Sequence, residues 1–460
     1  MLYKRCMTQA ATNIDKPNKT KKTLFVKTYG CQMNVYDSHK MADVMAGIGY
    51  ELVDDYKHAD MTIINTCHIR EKATDKLYCE LGRIEKSNRK NANENMIIAV
   101  TGCVAQAEGD EILRRAPYVD MVVGPQSYHE LPKLIANAAR TRGEKLELDF
   151  APEDKFDQLP EESASQGTSA FLTVQEGCDK FCTFCVVPYT RGAEYSRNFD
   201  GVIEEAKRIA GQGAIELSLL GQNVNAYHGL KSDGTTASLA DLIYEVAKID
   251  GIERIRYTTS HPRDMHDDLI AAHGEIPKLM PFLHLPVQHG SDKVLKEMNR
   301  QHTREHYFDI IARLRKSRAD MVFSSDFIVG FPGESEKDFA DLLDMVEKVR
   351  FAQCFSFKYS PRPGTPGALR EDTISEYVKA DRLAILQKAL FQQQGEFNET
   401  CLGKVMPVLL DRKGKLEGQL LGKTEYMQSV HLMTKLENFG NLVNVKITSC
   451  TQTSLGGEII

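Results

Sequence analysis

Residues 176–185 read EGCDKFCTFC and place Cys178, Cys182 and Cys185 in a C-x3-C-x2-C array. Three thiols this close suggest a metal site, yet a closed structural zinc site takes four ligands. No fourth Cys or His stands in register nearby, so one coordination position is left open or is filled from a distance. The array directly follows an apolar run, 171–175, that reads as a strand. From that strand onward the chain alternates β-rich and helical stretches. Strand candidates are 171–175, 215–220, 254–259, 282–287, 322–329 and 352–358. The helices between them have apolar faces, such as Val202, Ile203, Ala206 and Ile209, or Leu239, Leu242, Ile243 and Val246, or Phe339, Leu342, Leu343 and Val346. Ser238 with Asp241 and Ser335 with Asp338 have the spacing of capping boxes, with Asp in place of Glu. A helix over 376–394 closes the series. Six βα units predict a partial, open (β/α)6 barrel, with its chemistry at the carboxyl ends of the strands. The cysteine array lies on that rim.

Upstream of this region the same alternation appears in a separate α/β domain. TLFVKT (23–28), MTIINT (61–66), MIIAVTG (96–102) and VDMVVG (119–124) predict parallel strands. A helix over 36–48 carries Met41, Val44, Met45 and Ile48 on one face. Cys31, Cys67 and Cys103 each sit just beyond one of the first three of these strands. Carboxyl ends of parallel strands form the ligand crevice of an open sheet, so the three thiols are expected to converge. A single buried Cys is ordinarily a small inert hydrophobe; three at equivalent strand ends predict a second three-thiolate site. Cys6, Cys79, Cys354, Cys401 and Cys450 show no such pattern and are expected to be structural.

Residues 141–168 turn polar and predict an interdomain linker. After Gly395 the sequence becomes short strands with Gly and Lys at their turns, a small β-barrel candidate. Residues 1–22 form a basic leader with Lys4, Arg5, Lys16, Lys19, Lys21 and Lys22 against Asp15, expected to be disordered.

Composition limits the function classes. The 460 residues are 42% hydrophobic and 27% charged, with a net charge of −6. That mix is globular, and the negative balance argues against a chain that coats nucleic acid non-specifically, though not against a local basic patch. No window reaches the ~18 uninterrupted apolar residues of a membrane helix, and no signal-peptide core opens the chain. A cytoplasmic location is expected. There, eleven cysteines speak for metal binding or catalysis over a disulfide framework.

Three thiolates suit a four-iron cluster with one iron left open, where ordinary electron-transfer clusters use four Cys. C-x3-C-x2-C after the first strand of a βα series resembles the radical S-adenosylmethionine superfamily. With KTYGCQMN, NTCHIREKA, GCDKFCTFCVVPYTRG and DFIVGFPGE, residues 23–460 resemble the methylthiotransferases, most of all the MiaB type. The resemblance implies an N-terminal methylthiotransferase domain over 23–140, a linker over 141–168, a radical S-adenosylmethionine barrel over 169–395 and a TRAM RNA-binding domain over 396–460. It implies two 4Fe-4S clusters, on Cys31, Cys67 and Cys103 and on Cys178, Cys182 and Cys185, with S-adenosylmethionine on the second. One molecule of S-adenosylmethionine methylates a sulfur held on the first cluster. Another yields the radical that abstracts hydrogen from C2 of N6-dimethylallyladenosine beside the tRNA anticodon. No side-chain base usefully deprotonates that carbon, so the cofactors carry the chemistry and the protein positions it.

By the same resemblance Phe184 lies beside the adenine of the cofactor, and Phe181 and Phe184 shield the cluster. Gln222 and Asn223 would meet the methionine moiety, Gln288 and Ser291 the ribose, and Gly330 and Gly333 in GFPGE the adenine again. Local backbone bonding is the competing explanation for each polar residue, and turn geometry for Gly333. Arg191, Arg197 and Arg362 are candidates for contact with the phosphates of the anticodon stem-loop; ordinary salt bridges are the alternative. A monomer served by an external electron donor is expected. Three alternatives stand beside this reading: action on threonylcarbamoyl-adenosine in tRNA, action on a ribosomal-protein aspartate, and a non-enzymatic zinc- and RNA-binding module.

Overall fold

A computed structural model describes residues 21–460 except 69–70, 92, 94, 139–145, 149–154, 157 and 161–162. Most of the basic leader, with Cys6, lies outside the described residues. The chain forms two compact units. The first holds the residues up to Ser165 with Glu176–Asp179 and Cys185–Tyr195; the second holds Gln166–Gln175, Lys180–Phe184 and Ser196–Ile460.

The first unit is built on one parallel sheet of β1 (Lys22–Tyr29), β2 (Tyr50–Leu52), β3 (Met61–Thr66), β4 (Ile97–Thr101), β5 (Met121–Val123) and β6 (Leu146–Glu147), in the order β2-β1-β3-β4-β5-β6. Every residue of β3 is buried, as expected of a central parallel strand covered by helices on both faces. Helix Gln32–Ala46 and helix Leu131–Ala138 pack Met41, Met45, Leu131 and Leu134 on one face. Helix Glu71–Asn91 and helix Cys103–Arg115 bring Leu77, Leu81, Ile84 and Ile112 to the other. The region expected to be only a linker contributes more than a tether. Leu146–Glu147 extend the sheet beside β5, and Lys155 is fully buried. Its partners are two carboxylates, so a polar stretch enters the interior by ion pairing, which hydropathy does not reveal.

In the second unit all six expected barrel strands form and run parallel. Ser169–Thr173, Glu216–Leu220 and Arg254–Tyr257 make one three-stranded sheet; Phe282–His284, Val322–Val329 and Gln353–Lys358 make another. The seam between them is crossed by a bridge from Ile255 to Leu279 and a bond from Met280 N–H to the Ile255 carbonyl. Pro281 stands at the entrance of the fourth strand and has no N–H to offer a neighbour. Both Ser–Asp capping boxes are present, at helices Leu239–Ala247 and Glu336–Val349. Helix Glu376–Glu399 follows the last strand.

The C-terminal region is a closed barrel of five strands, Val405–Lys413, Gln419–Thr424, Ser429–Met433, Leu442–Cys450 and Ser454–Ile459. Two arginines of the third α/β strand hold it. Arg254 donates to the carbonyls of Lys423 and Pro407 at 3.0 and 2.7 Å. Arg256 donates to Glu425 and Thr424 carbonyls at 2.8 and 2.9 Å, and to Glu216 at 2.8 Å. Burial alone would raise the Glu216 carboxyl; the Arg256 guanidinium, helped by Arg254, outweighs it and holds the group below the usual range.

Candidate metal centres

Cys31, Cys67 and Cys103 lie at the carboxyl ends of β1, β3 and β4, which are neighbours in the sheet. Two of them stand at helix starts. Cys31 caps helix Gln32–Ala46, and Cys103 opens helix Cys103–Arg115; helix N-termini favour a thiolate. Gly30 and Gly102 precede them with φ of +133° and +89°. A Cβ on Gly30 would fall 2.3 Å from Cys67 Cβ, and one on Gly102 2.4 Å from Asn65 Oδ1. Lacking side chains, these glycines let the three strand ends close on one another.

The thiols do converge. A hydrogen bond with Cys67 is the strongest influence on the Cys31 thiol and, despite burial, pulls it down to about 6; Arg191 adds to the effect. Cys103 is pushed up by burial, with the Arg191 charge pulling the other way. Cys31 Sγ also meets Asn34 Oδ1 at 3.1 Å. Asn34 in turn donates to Asn65 at 2.9 Å, which ties the first helix to the end of β3.

Beside these thiols lies a buried ionic network that the sequence reading did not anticipate. Arg191 donates to Asp37 at 2.6 Å and stands 3.4 Å from Glu176. Lys155 Nζ lies 2.6 Å from Glu176 and 3.7 Å from Asp37. All four side chains are at most 2% exposed. Gln126 fixes the Arg191 carbonyl at 2.8 Å. Arg191 is therefore not the phosphate contact expected of it: a guanidinium desolvated between two carboxylates is not offered to RNA. Arg197 is also committed internally, donating to the Thr173 carbonyl at 2.6 Å and to Glu205 at 2.7 Å. Arg362 is half-buried at a turn in which its carbonyl accepts from Thr365. A sequence signal for part of the network existed. Asn34, Asp37 and Ser38 follow Cys31 at three- and four-residue steps, a polar stripe on a helix face that is buried.

In the radical-type array, Cys182 is buried while Cys178 and Cys185 are half-buried. The loop around Cys182 is held by one backbone bond and by the Asn299 side chain. Thr183 N–H donates to the Met298 carbonyl at 3.0 Å, and Asn299 Nδ2 donates to the carbonyls of Lys180 and Phe181 at 3.1 and 3.0 Å. Phe181 takes a positive φ of 48° and is 51% exposed. Phe184 packs against Val294, Met298, Phe331 and Tyr359. Arg300, which the sequence reading passed over, places Nη1 3.4 Å from Cys182 Sγ and is buried.

At the strand ends Asn223 is buried, donates to Asp264 at 2.8 Å and leaves its Oδ1 without a protein partner among the described residues. Nearby His261 and His302 stack edge to face at 5.7 Å, each with Nε2 unpartnered among the described residues. Gln222 and Gln288 are half-buried, and Gln288 has a φ of 76°. Ser291 departs from expectation: it is buried and gives its hydroxyl to Asp338 at 2.6 Å, an internal tie in place of a ribose contact. In GFPGE, the Glu334 carboxylate accepts from the N–H groups of Gly330 and Phe331 at 2.6 and 3.2 Å, closing a turn in which Gly330 and Gly333 both have positive φ. A Cβ on Gly330 would meet Lys379 Cγ at 2.4 Å, so this glycine is required by packing as well. Among the other cysteines, Cys401 is buried in the small barrel, burial pushes the Cys354 thiol up, and Cys79 is exposed.

The donor set suits iron–sulfur groups: soft thiolates in threes, in two separate motifs. Among the described residues no three His, Cys, Asp or Glu side chains surround a single ion.

Comparison with known proteins gives three domain matches along the chain. Residues 23–124 match UPF0004, an uncharacterized protein family, residues 172–346 the radical SAM superfamily, and residues 399–460 the TRAM domain. A solved radical S-adenosylmethionine methyltransferase, TsrM from Kitasatospora setae, superposes with a TM-score of 0.57 over 87% of this chain and 80% of that one at 12% identity, a likeness of fold. The cobalamin-dependent radical enzyme OxsB gives a TM-score of 0.53 over 81% of this chain and 56% of its own at 13% identity. A tRNA-2-methylthio-N(6)-dimethylallyladenosine synthase of Rickettsia bellii is 61% identical over 95% of this chain and 99% of its own length. The enzyme of the same name from Rickettsia canadensis is 60% identical over 95% of this chain and 99% of its own. The chain belongs to the tRNA-2-methylthio-N(6)-dimethylallyladenosine synthase family of radical S-adenosylmethionine methylthiotransferases.

Proposed function

We propose that this chain installs sulfur and a methyl group at C2 of N6-dimethylallyladenosine beside the anticodon of tRNA, using S-adenosylmethionine and two 4Fe-4S clusters. The observation that carries the two-cluster reading is the convergence of Cys31, Cys67 and Cys103 at three adjacent strand ends, apart from the C-x3-C-x2-C array. When bound, the clusters with S-adenosylmethionine supply the radical and the transferable sulfur that an inert aromatic C–H bond requires.

The chain's own part is to hold and orient. Cys178, Cys182 and Cys185 would hold the cluster that binds S-adenosylmethionine, with Arg300 donating toward Cys182. Phe184, Gln222, Asn223, Gln288 and the Gly330–Gly333 turn would line the place of S-adenosylmethionine. Asn223 supports this best, because its buried, unpartnered Oδ1 suits an ammonium donor. Among the described residues no helix is long and apolar enough to cross a membrane. The enzyme is read as a cytoplasmic monomer that takes electrons from an external donor.

Two measurements test the proposal. Anaerobic iron and sulfide analysis should give two clusters per chain, and Cys178→Ala/Cys182→Ala/Cys185→Ala should remove about half the iron and all cleavage of S-adenosylmethionine. Mass spectrometry of tRNA nucleosides from a deletion strain should show loss of the methylthio nucleoside and its return on complementation. Unchanged methylthio-adenosine in that strain would overturn the substrate assignment.

A further inference from the structure

Helix Glu376–Glu399 buries five of its 24 residues, Lys379, Arg382, Leu386, Leu390 and Asn398. The first two are cations about one helical turn apart, and both reach the GFPGE turn. Burying a cation costs free energy that a leucine in the same place would not, so packing alone does not account for the pair. The Lys379 stem covers Gly330 so closely that a Cβ there would fall 2.4 Å from Lys379 Cγ. Its ammonium is carried outward to Asp372 and Glu376. Arg382 works on the other end of the turn. Its Nη1 donates to Glu334 Oε1 at 2.9 Å and to the Glu334 carbonyl at 3.2 Å. Glu334 Oε2 accepts from the N–H groups of Gly330 and Phe331, so one buried carboxylate joins turn and helix, with an oxygen for each. His289 backs the same group. It is fully buried, its Nδ1 accepts from the Ser291 N–H at 3.1 Å, and its Nε2 stands 3.5 Å from Glu334 Oε2.

We propose that Arg382 is a positioning residue for S-adenosylmethionine, which through Glu334 fixes the Gly330–Gly333 backbone where the cofactor binds. This rests on the reading above that the turn lines the place of S-adenosylmethionine. Without the arginine the Glu334 carboxylate is released from the helix, and ordering the turn falls to the ligand, which weakens binding. Arg382 acts on the turn through Glu334, so it sets affinity for S-adenosylmethionine and not the rate of the chemical step.

The test uses the full chain after anaerobic iron–sulfur reconstitution. Formation of 5′-deoxyadenosine is followed against S-adenosylmethionine concentration, with dithionite as reductant and saturating anticodon stem-loop RNA carrying N6-dimethylallyladenosine. Arg382→Met should raise KM for S-adenosylmethionine about tenfold, the worth of a buried charge-assisted hydrogen bond, with kcat within about twofold and iron content unchanged. Arg382→Lys, which keeps one donor for Glu334, should recover most of the affinity. Arg382→Met also strands the Glu334 charge, so Glu334→Gln/Arg382→Met is measured beside it. There the amide oxygen can still accept from Gly330 while the tie to the helix is cut, and KM should rise as in Arg382→Met. An unchanged KM in Arg382→Met or in the double variant, with iron retained, overturns the role of Arg382. So does a fall in kcat at unchanged KM, or loss of iron from both, which would mark a contact needed by the fold as a whole. A parent chain that forms no 5′-deoxyadenosine overturns the reading of the cofactor's place itself, and that failure is seen before any variant is compared.

Discussion

The joint between the α/β strands and the TRAM barrel offers the sharpest test of the energetics. Arg256 is 5% exposed and Glu216 4%. Their bond measures 2.8 Å, and two further Arg256 bonds reach barrel carbonyls. Replacing Arg256 by Met strands a buried carboxylate, a loss usually worth about 3–5 kcal/mol. Glu216 keeps Arg254 at 3.9 Å and the Ser169 hydroxyl at 3.0 Å, so the lower end applies. A cost of ~3 kcal/mol is roughly a hundredfold in an opening equilibrium. Native-state hydrogen exchange of the full chain should therefore accelerate about a hundredfold over 405–413 and 419–424, with strands β3 and β4 unaffected. Glu216→Gln/Arg256→Met removes both charges and should cost less than the sum of the single changes. Because the folded carboxyl of Glu216 sits below its ordinary value of 4.5, its contribution is complete above that value and is lost as pH falls through the depressed one. Exchange in the barrel strands within twofold of the parent, or strict additivity in the cycle, would refute this account of the joint.

Other outcomes follow from the same reasoning. Gly102→Ala places a methyl 2.4 Å from Asn65 Oδ1 at a φ of +89°; it should cost about 2–4 kcal/mol and release the iron of the N-terminal site, read by denaturation and metal analysis. Cys67→Ala should likewise halve the iron while cleavage of S-adenosylmethionine continues, measured as 5′-deoxyadenosine. Ser335→Ala removes one half of a capping box and should lower stability by about 1 kcal/mol with no change in cofactor binding. Burial works against the Asp338 carboxylate, but donors on Ser291 and Ser335 hold it well below the usual range. Its stabilisation is present above the ordinary carboxylate range and fades in acid, so Asp338→Asn should flatten the acid limb of a melting-temperature profile.

What could be read from the chain was periodicity and punctuation. Runs such as MTIINT and the Ser–Asp pairs announce strands and helix starts because their signals are local. Cysteines at strand ends were legible because a parallel sheet brings those ends together. The fifth barrel strand, SLGGEI, was not anticipated, since paired glycines ordinarily weaken a strand. Here a Cβ on Gly456 would meet Ser449 Oγ at 2.4 Å and one on Gly457 would meet Val445 Cγ1 at 2.5 Å, so close packing demands them. Lys155 and Arg191 escaped for another reason. A buried ion pair is defined by partners distant in sequence, and nothing within a local window distinguishes such a residue from a solvated one.

The arginine joint also sets a length scale. Ser169, Glu216 and Arg254 pair at the amino ends of their strands, level with the TRAM contacts. The strand starting at Ser169 leads away from this joint toward the loop of Cys182, across five residues, or about 17 Å of extended chain. The contacts with the small barrel thus engage the amino ends of these strands, opposite the carboxyl ends from which the Cys182 loop departs.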